Sequence, residues 1–168
     1  MSGKNNLCAV SGTVTEWEVG NMVMKRTISG MVGSGSLAHN RRSFVAENVD
    51  PERVHLNIKY CDENLKTVYH ELFDASVERY NEGKRNDRKV IDYYEKIQHG
   101  KQEKLFHEVI FQIGNKDNMA ANSENGELAT KILDEYMKNF QERNPTLRVF
   151  NCYLHLDEAT PHLHIDFV

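Results

Sequence analysis

The longest run of apolar positions at helical spacing extends over residues 67–99. Apolar side chains recur three and four positions apart, first in the set Val68, Leu72, Phe73, Val77 and Tyr80 and then, after Gly83, in the set Val90, Tyr93, Tyr94 and Ile97. This pattern predicts two helices joined near residues 83–86. A further amphipathic set predicts one more helix, which ends before Asn144 and Pro145 and contains Leu128, Ile132, Leu133, Tyr136, Met137 and Phe140.

Short runs of β-branched, aromatic or alternating residues predict the strands. They cover residues 22–28, 106–113, 148–156 and 162–168, and residues 55–60 are compatible with a strand or an extended segment. Between the first two runs, the glycine-dense residues 30–36 predict a loop, and a short helix over 37–44 follows with Ser34 or Ser36 as its cap. Strands separated by long helices, with a closing hairpin, predict an α+β fold: an antiparallel β-sheet with helices packed on one face.

The chain is long enough for one folded domain. Of its 168 residues, the first 19 show no sustained periodicity, so we expect a flexible leader over 1–19 and a single domain over 20–168. The last predicted strand runs to the final residue. We therefore expect a C-terminally truncated fold, that is, an N-terminal fragment of a longer protein.

Composition restricts the compartment and the partners. No apolar run approaches the length of a membrane span, and Cys8, Cys61 and Cys152 are too widely spaced for a disulfide framework, so we expect a cytoplasmic protein. The net charge of −4 argues against a nucleic-acid binder. However, residues 20–45 contain four basic residues and no acidic one, so the overall balance hides a locally basic stretch.

The clearest candidate chemistry is a cluster of histidines in H-L-D-E-A-T-P-H-L-H, residues 155–164. His162 and His164 are two positions apart in a predicted strand and therefore point to the same face. If the preceding strand pairs with this one, His155 reaches the same face across the turn. Three imidazoles on one face predict an open divalent-metal site, with Asp157, Glu158 and Asp166 available to orient the ligands or to add one.

Other interpretations of this cluster are less favourable. Partly exposed histidines on a polar sheet face would explain one such residue better than three at strand spacing. The spacing also differs from the helical H-E-x-x-H of zinc proteases, because Pro161 precedes His162 directly. A metallopeptidase is therefore disfavoured.

These residues also resemble a known family. The pattern H-x-D-E-x-T-P-H-x-H resembles the third motif of the plasmid mobilisation relaxases called Mob/Pre or MobV, members of the HUH endonucleases, and His162-Leu163-His164 is the HUH element. Upstream, residues 39–42 (H-N-R-R) fit the H-N-x-R motif of that family. Residues 55–57 (H-L-N) resemble its middle motif, although Ile58 stands where the family often has tyrosine. The resemblance covers residues 20–168.

The resemblance implies a metal-dependent relaxase. Such an enzyme nicks one strand at a plasmid transfer origin, stays attached to the 5′ phosphate and later rejoins the ends. It implies His39 as the nucleophile and single-stranded or hairpin origin DNA as the partner, and a region beyond Val168 would support self-association. The metal ligands would be His155, His162 and His164, with Mn²⁺ favoured and Mg²⁺ or Zn²⁺ as alternatives.

General chemistry supports His39 as a nucleophile independently of the resemblance. A histidine attacks through a neutral imidazole, which its ordinary pKa near 6.5 makes available at cellular pH. Arg42 would lower the pKa of His39 and hold phosphate, whereas Glu158 would orient the ring. As DNA contacts we expect Lys25, Arg26, Asn40, Arg41 and, more weakly, Asn57.

Two alternative functions stay open. One keeps the HUH fold in a rolling-circle replication initiator or a transposase, whose tyrosine usually lies on a helix after the HUH element. The other is a catalytically idle fragment that binds metal and DNA without cutting. The negative net charge and the end of the chain at the metal strand make the second alternative a serious competitor of the relaxase.

Overall fold

The computed structural model describes the backbone of residues 15–19 and 22–168 and the side chains of residues 27–168. Strand β1 (Thr15–Val19) pairs with β2 (Met22–Arg26) in an antiparallel hairpin. The leader expected over 1–19 is therefore wrong for its last five residues, which form a strand, and residues 1–14 lie outside the described part. The sequence of this strand, T-E-W-E-V, alternates over only five positions, which is too short a run to give a clear periodic signal.

A five-stranded antiparallel sheet forms the centre of the fold. Its strands are β3 (Ile28–Val32), β4 (Ile58–Asp62), β5 (His107–Ile113), β6 (Val149–His155) and β7 (His162–Phe167), in the spatial order β3-β5-β7-β6-β4. The final strand β7 therefore lies in the middle, paired with β5 on one side and β6 on the other. Because both of its neighbours are present, every position of β7 except Phe167 is buried.

The strand predicted over 22–28 is two strands, β2 and β3, and β3 includes the first residues of the stretch predicted as a loop. Gly30 makes this possible. A Cβ atom at this position would lie 2.9 Å from the Phe111 ring on the paired strand, so only glycine lets that ring pack across β3. The loop proper is confined to residues 33–36.

Among the described residues, five α-helices connect the strands: α1 (Leu37–Asn40), α2 (Leu65–Asn81), α3 (Tyr93–Gln98), α4 (Glu124–Lys138) and α5 (Phe140–Arg143). Each of the first four begins at a residue whose side-chain oxygen accepts a hydrogen bond from the first turn, namely Ser36, Asn64, Asp92 and Ser123. Helix α1 ends at Asn40 instead of residue 44, because Arg42 adopts a left-handed backbone conformation with φ 53°.

Two apolar clusters hold these layers together. Helix α4 packs on one face of the sheet, where Ala129 and Leu133 are fully buried against Leu154, Leu163 and Ile165. Helices α2 and α3 form a second cluster around Phe150, at the end of the sheet where β6 begins. The predicted α+β class with helices on one face is confirmed, with α1 as an addition on the opposite face, the one that carries the histidines.

Candidate metal centre

Three histidines converge on the face of the sheet opposite α4. His155 and His162 are direct partners in the pairing of β6 with β7, and His164 follows two positions along the same strand. Their ring centroids lie 4.8–5.3 Å apart in each of the three pairs. All three side chains are buried, because α1 and the loops that flank it lie over this face.

Each of these imidazoles uses one nitrogen to contact a fixed acceptor. His155 Nε2 lies 3.0 Å from the Asn40 carbonyl oxygen, and His162 Nδ1 lies 2.8 Å from the carbonyl oxygen of Thr160. His164 Nδ1 lies 2.7 Å from Glu108 Oε1. A neutral imidazole that donates through one nitrogen has a free lone pair on the other, so these contacts orient the remaining three nitrogens as ligands.

The remaining nitrogens pass a test of fit for a metal. Among the described residues, His155 Nδ1 and His164 Nε2 are buried and have no hydrogen-bond partner, which is costly for a polar atom unless something else binds it. Burial, reinforced by neighbouring positive groups, lowers the pKa of His155 to about 3. Burial also lowers the pKa of His164, although Glu108 opposes this shift. Neutral imidazoles are the form that binds a divalent ion, so the residues present fit one.

His39 lies beside this centre. Its ring centroid is 5.5 Å from that of His155 and 5.6 Å from that of His164. The closest ligand atoms of His39 and the three strand histidines all lie within 4.8 Å of one another. His39 is thus near enough either to attack a phosphate held at the centre or to act as a fourth ligand.

Arg42 joins α1 to the loop that follows β6. Its Nε and Nη2 donate to the two oxygens of Asp157 at 2.8 and 2.6 Å, and Nη2 also donates to Glu158 at 2.8 Å. Its Nη1 lies 3.0 Å from His39 Nε2 and donates to the His39 carbonyl oxygen at 3.1 Å. Because the whole guanidinium is engaged and only 6% of the side chain is exposed, Arg42 can reach a phosphate only by giving up one of these contacts.

The protonation of His39 follows from its neighbours. Burial lowers the pKa of His39, the Arg42 guanidinium lowers it further, and Glu158 acts in the opposite direction. Glu158 Oε1 lies 3.3 Å from His39 Nε2, and its other oxygen accepts from Asn48 at 2.7 Å. Burial alone would raise the pKa of Glu158, but His162 and Arg42 lower it to about 2, so this carboxylate is charged at neutral pH.

The residues expected to contact DNA differ in exposure and in hydrogen bonding. Asn40 is only 1% exposed and its side chain faces the interior, so the structure gives no accessible side chain for the DNA contact expected at Asn40. The Asn57 amide is held on both sides, donating to Asp157 at 2.6 Å and accepting from the Leu156 amide at 2.7 Å. Asn57 therefore fixes the loop after β6.

Arg41 is the one expected DNA contact with a described, exposed side chain. Its side chain is 37% exposed and forms a two-pronged pair with Asp62, with nitrogen–oxygen distances of 2.7–3.1 Å. The Arg41 guanidinium is therefore accessible from solvent, and an anionic ligand would compete with this carboxylate for it. The side chains of Lys25 and Arg26 lie outside the described residues.

Two further carboxylates lie behind the histidines. Asp166 accepts from the Asn40 amide at 2.8 Å, and burial together with the charge of Glu108 raises the pKa of Asp166 to about 7. Glu108 was missing from the sequence-based site, although it contacts His164. The sequence contains a weak indication of it: Glu108 is the one carboxylate in the mostly apolar strand H-E-V-I-F-Q-I, and a buried charge needs a partner.

The fold and the histidine cluster define an α+β protein with a candidate divalent-metal centre. The Mob_Pre family model, described as plasmid recombination enzyme, matches residues 59–168, which is well over half of the chain. The chain belongs to this family. No curated protein matches it, and no helix among its described residues is long and apolar enough to cross a membrane.

Solved structures of a MobM relaxase domain resemble the chain. One, Mn-bound at pH 5.5 with a 22-nucleotide oriT DNA of plasmid pMV158, is 24% identical with a TM-score of 0.49 and covers 84% of this chain and 69% of that chain. Another, Mn-bound at pH 6.8 with oriT DNA carrying a 3′ thiophosphate, is 23% identical with a TM-score of 0.47 and the same coverage.

Proposed function

We propose that this chain is the catalytic domain of a plasmid relaxase. It nicks one DNA strand at a transfer origin, keeps the 5′ phosphate in a covalent adduct and rejoins the ends for plasmid mobilisation or recombination. The observation that carries the proposal is the position of His39 beside three buried histidines, in a chain of the Mob_Pre family. Its partner is single-stranded or hairpin origin DNA in the bacterial cytoplasm.

His39 is the proposed nucleophile. A neutral imidazole nitrogen attacks the scissile phosphorus, the bond from phosphorus to the 3′ oxygen breaks, and that oxygen leaves with the electron pair and takes a proton from solvent. Burial and, after it, the Arg42 guanidinium favour the neutral form of the ring by lowering the pKa of His39. The Glu158 carboxylate, 3.3 Å from His39 Nε2, stabilises the positive charge that develops on the ring during attack.

His155, His162 and His164 would hold the metal. A divalent ion there supplies Lewis-acid chemistry by drawing charge from a non-bridging phosphate oxygen. Three nitrogen ligands suit Zn²⁺ better than Mg²⁺, which prefers oxygen. Mn²⁺, the ion that the family resemblance favours, stays the first candidate. The adduct with His39 is a phosphoramidate, which a free 3′ hydroxyl can attack to restore the phosphodiester.

Cleavage of an end-labelled origin oligonucleotide in Mn²⁺ tests this proposal. Wild-type protein should give one nicked product and a protein–DNA adduct, and His39→Ala should give neither while it still shifts the oligonucleotide in a gel. His70→Ala is the matched control, because His70 lies on α2 and is 42% exposed. If wild-type protein shifts the oligonucleotide in a gel but does not cleave it, the proposed enzymatic activity is contradicted.

A second candidate function rests on the same cluster. If His39 serves as a fourth ligand, the centre is closed, as in structural metal sites, and the chain is a catalytically idle module that binds metal and DNA. Metal titration of His39→Ala by calorimetry separates the two candidates. The relaxase predicts Mn²⁺ affinity within about threefold of wild type, whereas loss of a true ligand lowers the affinity much further.

A further inference from the structure

We infer that Asn40 is a positioning residue: it holds His39 at a fixed place beside the three-histidine centre by fastening helix α1 to Glu108 and Asp166. The inference rests on the proposed function. In this role the Asn40 side chain contacts neither the DNA, as the sequence suggested, nor the reacting atoms.

Asn40 is the last residue of α1 and directly follows His39. Its Nδ2 donates to Glu108 Oε1 at 3.0 Å and to Asp166 Oδ2 at 2.8 Å. Both neighbours are carboxylate oxygens, so the amide nitrogen, which alone can donate, has to face them. The backbone carbonyl oxygen of Asn40 lies 3.0 Å from His155 Nε2, so the same residue also orients one of the candidate ligands.

Glu108 also binds the backbone just before the start of α1. Its Oε2 accepts from the Gly35 amide at 2.8 Å, just before α1 begins, while its Oε1 contacts His164 Nδ1. The loop can close this tightly because residue 33 is glycine: a Cβ there would lie 1.9 Å from Glu108 Oε2. One carboxylate on β5 thus fixes both ends of α1 and one candidate ligand.

These attachments matter because α1 is a single turn of four residues. A helix this short has no stability of its own, so its position depends on tertiary contacts. His39 is part-buried, and its position is set by α1. The candidate ligands lie on strands β6 and β7, and the pairing of these strands fixes their positions. Loss of the Asn40 amide should therefore move the nucleophile more than the ligands.

The consequence for the reaction is a loss of rate and not of DNA affinity. A misplacement of about 1 Å between reacting groups costs about 100-fold in rate. In Asn40→Ala we expect the single-turnover nicking rate at saturating DNA to fall by about that factor. Because Asn40 is buried, the DNA dissociation constant measured in EDTA should stay within about threefold of wild type.

Asn81→Ala is the matched control. The Asn81 amide makes two hydrogen bonds to the Val90 backbone, at 2.7 and 2.9 Å, and lies at the end of α2 away from the histidines. This variant loses a comparable amide clamp, and its nicking rate should equal that of wild type. If it loses rate as much as Asn40→Ala does, the Asn40 effect is general loss of structure and the inference fails.

A spectroscopic readout separates this inference from the proposed function. With Co²⁺ as the probe, the paramagnetically shifted ring protons of His39 report its position relative to the metal even if wild-type protein does not nick DNA. In Asn40→Ala we expect the His39 signals to move or broaden while those of His162 remain. Unchanged His39 signals would overturn the inference.

Two kinetic outcomes would also overturn it. If Asn40→Ala raises the DNA dissociation constant but keeps the saturating rate, Asn40 is a DNA contact. If both quantities stay at their wild-type values, the amide does not position the nucleophile. Should Asn40→Ala fail to fold, Asn40→Ser replaces it with the same expected split between rate and affinity, because the shorter serine hydroxyl cannot donate to both Glu108 and Asp166.

Discussion

Binding of a divalent ion should stabilise this protein strongly against heat. In the described structure, His155 Nδ1 and His164 Nε2 are buried without a partner, and each such atom costs about 1–3 kcal/mol. An ion that binds only the folded protein adds about 2.7 kcal/mol at a concentration 100 times its dissociation constant. For a chain of this size, 1 kcal/mol shifts the melting temperature by about 2–4 °C, so we expect an increase of about 5–11 °C.

Circular dichroism melts in EDTA and in Mn²⁺ measure this shift. His164→Ala should abolish most of it, because it removes a ligand with a buried free nitrogen. His99→Ala should keep it, because His99 is 77% exposed on the C-terminal side of α3. Equal shifts in wild type and His164→Ala, or no shift in wild type, would refute the assignment of the three histidines as a metal centre.

Three further predictions concern Glu108 and the core. Glu108→Gln should lower Mn²⁺ affinity by about 10–100-fold in calorimetric titrations, because the carboxylate orients His164; an unchanged affinity would show that this contact is idle. In metal-free protein, the contacts of Glu108 lower its pKa from 4.5 to about 2 despite burial, so the stability they contribute is present above about pH 4.5 and is lost as the pH falls toward 2. Urea unfolding should therefore show a gap in the free energy of unfolding between wild type and Glu108→Gln at pH 6 that narrows at pH 3, and a gap that widens in acid would contradict this sign. Leu133→Ala should reduce the free energy of unfolding by about 2–5 kcal/mol, because Leu133 is fully buried under the sheet; a loss below about 1 kcal/mol would mean that α4 is not packed as described.

The sequence predicted the histidine face correctly because strand alternation is a local rule. His162 and His164 share a face by their spacing alone, and a short turn between β6 and β7 was enough to place His155 opposite His162. The long helices were equally readable, because α2 and α4 carry apolar residues at helical spacing and begin at capping residues.

What the sequence could not predict depends on contacts between distant segments. Periodicity does not tell which strands are neighbours, so the central place of β7 between β5 and β6 was not predictable, and neither was the contact of Glu108 with His164. The burial of Asn40 was missed for the same reason: an asparagine in a short helix among basic residues is typical of a DNA contact until the sheet below it is known. The left-handed backbone at Arg42 also depends on its tertiary partners, since arginine has no local preference for it.

The proposed mechanism has His39 attack DNA beside a metal held by the three strand histidines. The direct test is to trap the protein–DNA adduct in Mn²⁺ and to digest both the protein and the DNA. Peptide mass spectrometry then locates the residue that still carries a nucleotide through its 5′ phosphate. We predict a phosphoramidate on His39, stable in alkali and labile in acid. A nucleotide found on a tyrosine, or on any residue other than His39, would contradict it.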